Sequence, residues 1–295
     1  MAKTDIAALL ALAAALFIAV GDVVHHQTAH EVTDESVGHL ELFTRLLRDR
    51  QWWIGSAVSA LGFGLQAAAL GLGSVLLVQA LLVTALLFTL LINARLTGRA
   101  VTRAQWIWAA LLVLAVAVIV TIGNPTAGHS RGALEVWTEV IAVLAPVLVL
   151  CAVGARVWAG RPVAAVLLGV VSGSLWGVFA VLTKGLVDHL HHGLWAMLAM
   201  PELYVWAAVA VAATAWQQFS FRAGSLAASL PTMTVTEPVV GSALGMLVLG
   251  ETLRPGDDGM VALVAAVVAM VVATTALARS EAQSDPGTAA AQASA

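Results

Sequence analysis

Glu237 is the residue best suited to chemistry in this sequence, because it places a carboxyl group in the middle of a long apolar segment. It stands in the run PTMTVTEP, which Pro231 begins and Pro238 ends, beside the hydroxyl groups of Thr234 and Thr236. A proline inside a helix frees a backbone carbonyl, so this run predicts a distorted helix. Carboxylates, hydroxyls and carbonyls together suit a cation or a proton. A carboxyl inside a membrane is costly, which makes Glu237 a functional candidate; the alternative is a protonated acid that bonds a neighbouring helix.

Four more side chains are unusual within apolar segments and are candidates for a solute or ion pathway: Gln66, Gln79, Gln217 and Trp176. Each glutamine has a simpler alternative, a hydrogen bond between helices worth ~0.6 kcal/mol. Trp176 lies away from the segment ends, where interfacial tryptophans concentrate. It either lines a pocket or packs against another helix.

Three charged or titratable residues near segment ends are candidate gates. Asp22 and His26 lie at one end of the first apolar segment, and Lys184 lies near the opposite end of the sixth. A shift of 158 positions brings His26 onto Lys184. The alternative for Lys184 is a side chain that extends to the membrane interface.

The run that contains Asp188, His189, His191 and His192 resembles a metal site, but it falls on one short predicted loop. Without a helical or sheet frame, we expect a solvated loop and no metal there. The sequence has no glycine-rich phosphate loop and no catalytic triad order. We therefore expect neither an enzyme nor a cofactor, and no nucleotide-driven pump.

Composition identifies the medium in which these residues act. Of the 295 residues, 60% are hydrophobic and 11% are charged, whereas soluble domains average about a quarter charged residues. So much apolar surface requires a bilayer as its solvent. The net charge of −3 argues against the basic surface that nucleic acids need. The expected partners are a small-molecule or ion substrate and membrane lipid, with a homodimer left open.

Nine segments are apolar over the length that a membrane-spanning helix needs. They are 5–24, 52–70, 74–94, 106–123, 135–157, 162–187, 202–221, 225–250 and 259–278. The sequence therefore predicts an all-α integral membrane protein with about nine transmembrane helices. Between the first two spans, residues 38–48 predict an amphipathic helix at the membrane surface. The polar residues 280–295 predict a disordered cytoplasmic tail.

The distribution of basic residues predicts the orientation of these spans. Ten arginines fall on one side of the membrane, whereas Lys3, Arg131 and Arg254, with Lys184 near the boundary, fall on the other. Basic residues accumulate on the cytoplasmic side. We expect a multi-pass protein of the plasma (inner) membrane, with its amino terminus outside and its carboxy terminus in the cytoplasm.

Ladders of small residues predict an internal repeat. A shift of 158 positions aligns two such ladders, Ala11, Ala15 and Ala19 with Gly169, Gly173 and Gly177. A shift of 151 positions places Gln66 on Gln217. Residues 1–123 and 161–279 then form two four-helix repeats, and residues 124–160 contain a linker helix. Because an odd number of spans separates equivalent helices, the repeats are inverted, as in many secondary transporters.

Two sequence runs carry a resemblance to a known family. The first is GFGLQAAALGLGSVLLVQALLV, followed by a basic loop and QWIWAALLVLAVAVIV; the second is SLAASLPTMTVTEPVVGSALGMLVLGETL. The chain resembles the drug/metabolite transporter superfamily, in which Leu-Gly-Glu commonly ends the helix that Leu249-Gly250-Glu251 ends here. It looks most like the bacterial NIPA-like and EamA-like permeases. The resemblance implies a transporter fold and leaves the substrate open. The first repeat departs from the pattern, since Asn93-Ala94-Arg95 stands near the expected Leu-Gly-Glu.

Three hypotheses for function remain at this point. The first is a secondary transporter of a small organic or amphipathic solute, coupled to protons through Glu237. The second is a divalent-cation transporter, although a single mid-membrane acid is few ligands for magnesium. The third is a non-transporting scaffold for envelope assembly, which would have a solid centre with Glu237 buried against another helix.

Overall fold

The structure, a computed structural model, describes residues 2–33, 50–98, 100–190, 193–223, 226–256 and 259–284. Within these ranges the chain forms eleven helices and one isolated bridge between Thr126 and Thr252. The helices are α1 (Ala2–Thr33), α2 (Arg50–Leu72), α3 (Val75–Leu82), α4 (Ala85–Thr97), α5 (Arg103–Thr121), α6 (Leu134–Val157), α7 (Pro162–His189), α8 (Leu194–Leu198), α9 (Pro201–Ala223), α10 (Leu226–Leu249) and α11 (Gly259–Ser284).

Eight segments of the described chain are long and apolar enough to cross a membrane. They are 3–24, 53–72, 75–96, 103–121, 134–157, 162–189, 229–249 and 259–280. They match eight of the nine predicted spans, so the chain is an all-α, multi-pass membrane protein. The remaining predicted span, 202–221, is helical as part of α9 but less apolar, with Gln217 and Gln218 near its end. A count of nine spans is therefore not confirmed.

The third apolar segment is broken in its middle, which the sequence analysis did not predict. We expected one helix over 74–94, but α3 ends at Leu82 and α4 begins at Ala85. At the break, the backbone nitrogen and the hydroxyl of Thr84 both donate to the carbonyl of Leu81, at 3.0 and 2.6 Å. The segment is thus a short buried half-helix followed by a second half-helix.

Helix α7 is at the centre of the second half of the molecule. It packs against α9 and α10, and also contacts α6 and α2. In the first half, α1 packs against α2, α3 and α4, while α5 packs against α11 across the two halves. Helix α6 is the predicted linker helix, and most of its surface is exposed, as expected for a helix that faces lipid.

The small-residue ladders lie where helices approach most closely. A Cβ added at Gly177 would lie 2.7 Å from the backbone nitrogen of Gly241, so α7 and α10 touch through their backbones. In α1, Ala11 and Ala15 are fully buried. Small residues let helix backbones approach where lipid supplies no hydrophobic drive for packing.

Several predicted boundaries need correction or fall outside the described residues. Helix α1 continues to Thr33, beyond the predicted end at residue 24. Helix α11 continues to Ser284, so the predicted disordered segment 280–295 begins too early, and residues 285–295 are outside the described ranges. The predicted amphipathic segment 38–48 is also outside them.

Candidate functional site

Glu237 lies on the inner face of α10. That face carries the buried residues Met233, Gly241 and Leu244, which precede or follow Glu237 by four, four and seven residues. Such spacings place side chains on one side of a helix. The exposed Val239 and Leu247 lie on other faces. Glu237 is half-buried, and its backbone packs on α7, since a Cβ added at Gly173 would lie 3.2 Å from the Glu237 nitrogen.

Asp22 belongs to α1, in the first half of the molecule. It follows the buried Ala11 and Ala15 by eleven and seven residues, which places it on the inner face of α1. Its side chain is exposed. Helices α1 and α10 both pack on α3, which places Asp22 and Glu237 on helices around the same half-helix.

The two acids belong to helices whose main packing partners differ. Helix α1, which carries Asp22, packs on α2, α3 and α4, whereas α10, which carries Glu237, packs on α7, α11 and α3. Within the part of the chain that the structure describes, neither carboxyl has a hydrogen bond or an ion pair. Two acids without a partner among the described residues therefore belong to membrane-spanning helices, where carboxyl groups can hold a proton or a cation.

Two aromatic rings lie between α2 and α7 in this region. The ring of Phe63 stacks on Trp176 with centroids 6.0 Å apart and an interplanar angle of 13°. Phe63 is 40% exposed, although it lies one turn from the buried Gln66 and away from the outer face of α2. The Trp176 indole nitrogen donates to Gln217 Oε1 at 3.4 Å. The predicted residues Trp176 and Gln217 thus come together, and Phe63 joins them.

The other two predicted glutamines are buried. Gln66 is 5% exposed within α2. Gln79, in α3, is 1% exposed, and its Nε2 has no hydrogen-bond partner among the described residues. A Cβ added at Gly241 would lie 2.7 Å from that nitrogen, so the Gln79 amide lies against α10 one turn from Glu237.

The predicted threonines do not surround Glu237. The hydroxyl of Thr234 donates to the carbonyl of Leu230 in its own helix, at 2.7 Å. Thr234 borders a small apolar space with Val83 and Pro238. Thr236 packs against Gly173, whose added Cβ would lie 2.9 Å from the threonine Cβ. Helix α10 therefore contributes the Glu237 carboxyl group to this site, and the hydroxyls of Thr234 and Thr236 do not surround it.

Lys184 does not extend to the interface, which was the alternative given above. Its Nζ lies 2.7 Å from Glu251 Oε1 and donates to the carbonyl of Gly73 at 2.8 Å. Lys184 is 6% exposed and Glu251 is 2% exposed. The sequence analysis assigned no role to Glu251, and no local pattern connects it with a lysine so distant in the chain.

Glu251 also caps helix α3. Its Oε1 accepts from the backbone nitrogen of Val75 at 2.8 Å, and its Oε2 accepts from Leu76 at 3.0 Å. A carboxylate at a helix amino terminus satisfies unpaired N–H groups and complements the helix dipole. Gly250 has a positive φ of 63°, a backbone conformation that suits glycine, and it turns the chain so that Glu251 reaches α3. We call Lys184, Glu251 and the carbonyl of Gly73 the lock.

The remaining predicted site residues lie at the ends of helices α1 and α7 or outside the described residues. The backbone of His26 belongs to α1, but its side chain is outside the described set, as are His191 and His192. Asp188 and His189 continue helix α7 and are not in a loop, which corrects the prediction. Among the described residues, no group of three or more His, Cys, Asp or Glu side chains is placed to hold a metal.

Comparison with known proteins assigns the chain to a family. It is 37% identical over 285 residues to a Corynebacterium glutamicum protein named Uncharacterized protein Cgl0250/cg0304, and the match covers 95% of this chain and 96% of that protein. The chain belongs to the family of that corynebacterial protein. Because the match covers nearly all of both chains, the family shares both halves of the molecule. No family model matches the chain, and no solved structure matches it significantly.

Proposed function

We propose that this protein is a secondary transporter of the drug/metabolite type that moves a small organic solute and is coupled to protons through Glu237. The observation that carries the proposal is the presence of two acids, Asp22 and Glu237, within membrane-spanning helices of the two halves and without a partner among the described residues. Carboxyl groups within membrane-spanning helices are costly, and such residues commonly mark proton or ion pathways. The stacked Phe63 and Trp176 supply an apolar wall for an organic solute.

Equivalent packing in the two halves supports an inverted-repeat frame. Helix α1 packs on α2 and on the broken span α3–α4, as α7 packs on α9 and α10. This correspondence pairs α9 with the span α2 and favours α9 as a ninth span. In inverted-repeat transporters the substrate site lies at the repeat interface, often beside a discontinuous helix. The break after α3 fits that description, since Val83 lies beside Pro238, the neighbour of Glu237.

The two sides of the proposed pathway differ. The lock lies at the side of the membrane where α1 begins, because Ala7 of α1 lies next to Gly73. On that side Lys184 and Glu251 form a buried ion pair, whereas Asp22, towards the other side, is exposed. We propose that this state is closed on the amino-terminal side, which the basic residues assign to the exterior of the plasma membrane.

Transport of a divalent cation is the second candidate, and one observation favours it. The sequence analysis counted a single mid-membrane acid, and Asp22 of α1 supplies a second carboxyl group within a membrane-spanning segment. Magnesium is commonly bound through one or two carboxylates and several waters. The scaffold hypothesis stays a third candidate, since the backbone of Glu237 packs on α7, with a Cβ added at Gly173 3.2 Å from its nitrogen. An absence of any solute or ion flux would favour it.

Ion and solute flux in proteoliposomes tests these proposals. Vesicles enclose a pH-indicator dye, and a panel of organic cations, amino acids and sugars is added outside. We expect one solute class to change the internal pH with the wild-type protein and not with Glu237→Gln, whose amide cannot release a proton. A magnesium indicator in parallel vesicles tests the second candidate. Equal signals from wild type and a well-folded Glu237→Gln protein would remove Glu237 from the mechanism.

A further inference from the structure

We propose that Glu251 is a positioning residue that keeps the amino-terminal side closed. It forms the ion pair of the lock with Lys184. Through its cap on α3, it also connects the lock to α10, the helix that carries Glu237. The inference rests on the proposed transport function for its purpose. The lock itself is a statement about conformation and can be tested without a substrate.

The lock joins chain segments that any opening on this side has to separate. Lys184 belongs to α7, Glu251 follows α10, and Gly73 lies between α2 and α3. The lysine Nζ contacts both of the others, at 2.7 Å to Glu251 and 2.8 Å to the carbonyl of Gly73. The lock therefore fastens the α7 and α10 side of the bundle to the α2–α3 junction.

Because its two charged groups are buried, the lock is expected to be either fully formed or fully separated. Both charged groups are almost completely removed from solvent, and separating them without water would leave a single charge in an apolar interior. That separation is strongly unfavourable. The lock is therefore stable while this side excludes water, and its separation requires that water enter.

Backbone hydrogen bonds from the connection between α5 and α6 hold the segment around Glu251 in place. The nitrogen of His129 donates to the carbonyl of Leu249 at 2.7 Å, and the nitrogen of Arg254 donates to the carbonyl of Gly123 at 2.8 Å. Together with the Thr126–Thr252 bridge, these bonds attach the segment after α10 to the connection between α5 and α6. The position of Glu251 thus depends on both halves of the molecule.

Helix α3 extends from the lock to the site. Its amino terminus is capped by Glu251, its middle residue Gln79 lies against Gly241, and its end at Val83 borders Pro238. Residues Val75 to Leu81 are all buried, so this half-helix is enclosed along its length. A shift of Glu251 displaces the cap of α3 and, with it, the contact between Gln79 and the helix of Glu237.

Distance measurements between spin labels test the lock. Labels are attached at Asp5→Cys, near the start of α1, and Leu190→Cys, just after α7, in a Cys151→Ser background of the full chain in lipid nanodiscs. Both label sites are exposed. We expect one short distance in the wild type. In Glu251→Gln we expect the share of a longer distance to rise by roughly tenfold or more, because a lone buried charge is strongly destabilising.

Two further variants keep the test decisive. The double variant Lys184→Gln with Glu251→Gln leaves no lone buried charge and serves if the single variant does not fold; it should also show the longer distance. The control is Arg131→Gln with Glu202→Gln, which removes an exposed pair 3.8 Å apart on the same side and should leave the short distance unchanged.

The outcomes separate this inference from the transport proposal. If both lock variants keep the wild-type distance, the lock is wrong, whether or not Glu237→Gln abolishes flux. If the lock variants open this side but no solute or ion flux depends on Glu237, the lock stands and the transport proposal fails. A change of the same size in the Arg131 and Glu202 control would also overturn the lock, since any lost ion pair would then suffice.

Discussion

The side-chain amide of Gln79 lies against Gly241, one helical turn from Glu237 on the inner face of α10. This contact places a buried nitrogen, without a hydrogen-bond partner among the described residues, beside the helix that carries the proposed proton site. It also joins the half-helix capped by Glu251 to the helix of Glu237.

Gln79→Met separates a packing role for this glutamine from a functional one. Methionine has a similar shape and no polar group, and a buried donor without a partner costs about 1–3 kcal/mol. We expect the variant to keep or raise the melting temperature and to lower solute-coupled proton flux. The control Gln105→Met removes satisfied bonds to Thr102 and Ser280, and should lower the melting temperature without changing the flux of folded protein. An unaltered flux in Gln79→Met would return Gln79 to a packing role.

Gly177→Ala tests the close contact between α7 and α10. The added Cβ would lie 2.7 Å from the backbone nitrogen of Gly241, which cannot move aside as a flexible side chain can. We expect a loss of about 1–3 kcal/mol in stability, as for other overpacked sites. Gly64→Ala in α2 is the matched control, because no atom lies within 4 Å of its added Cβ. Equal melting temperatures for the two variants would show that the glycine ladder does not bring these helices together.

Lys184→Met tests whether the buried ion pair has to be complete. Removing one partner of a buried pair typically costs about 3–5 kcal/mol, because the other charge stays buried. We expect a large fall in melting temperature, and partial recovery when Glu251→Gln is added. Arg131→Met, which breaks an exposed pair with Glu202, should cost at most about 1 kcal/mol. A single variant as stable as wild type would mean that the ion pair between Lys184 and Glu251 does not stabilise the fold.

Periodicity alone predicts much of this fold and part of the site. Eight of the spans follow from apolar length, and the ladder Ala11, Ala15 predicts the buried face of α1. The same spacing carries Asp22 onto that face, so its approach to the interior was readable from sequence. The packing of both α1 and α10 on α3 does not follow from periodicity, because it depends on the tertiary arrangement of the helices.

The lock shows where sequence reasoning ends. Lys184 stands near the end of an apolar helix, a position at which a lysine ordinarily extends to the interface. Lys184 is instead buried in an ion pair with Glu251. Glu251 reaches α3 because Gly250 adopts a positive φ. The Leu-Gly-Glu run was visible as a resemblance, but its use as a cap on another helix depends on the assembled bundle. The break at Val83 and Thr84 likewise could not be predicted, because no glycine or proline stands at that point of the sequence.

Asp22→Asn, combined with Glu237→Gln, tests whether the two acids act as one unit. Residues that share one proton or cation show non-additive effects on substitution. We expect each single variant to lower proton-coupled flux strongly and the double variant to be no worse than the more severe single one. Multiplicative losses would indicate that Asp22 and Glu237 act in separate steps.

Two-sided labelling of a cysteine at Phe63 tests the central claim, that a solute pathway at this site opens to each side of the membrane in turn. Phe63→Cys in the Cys151→Ser background is exposed to a membrane-impermeant maleimide in vesicles of either orientation, with the lipid-facing control Val143→Cys, which is exposed on α6. The account predicts labelling of Phe63→Cys from both sides, more slowly from the side of the lock, and no labelling of the control. Labelling from one side only, or from neither, would contradict alternating access and with it the assignment as a transporter.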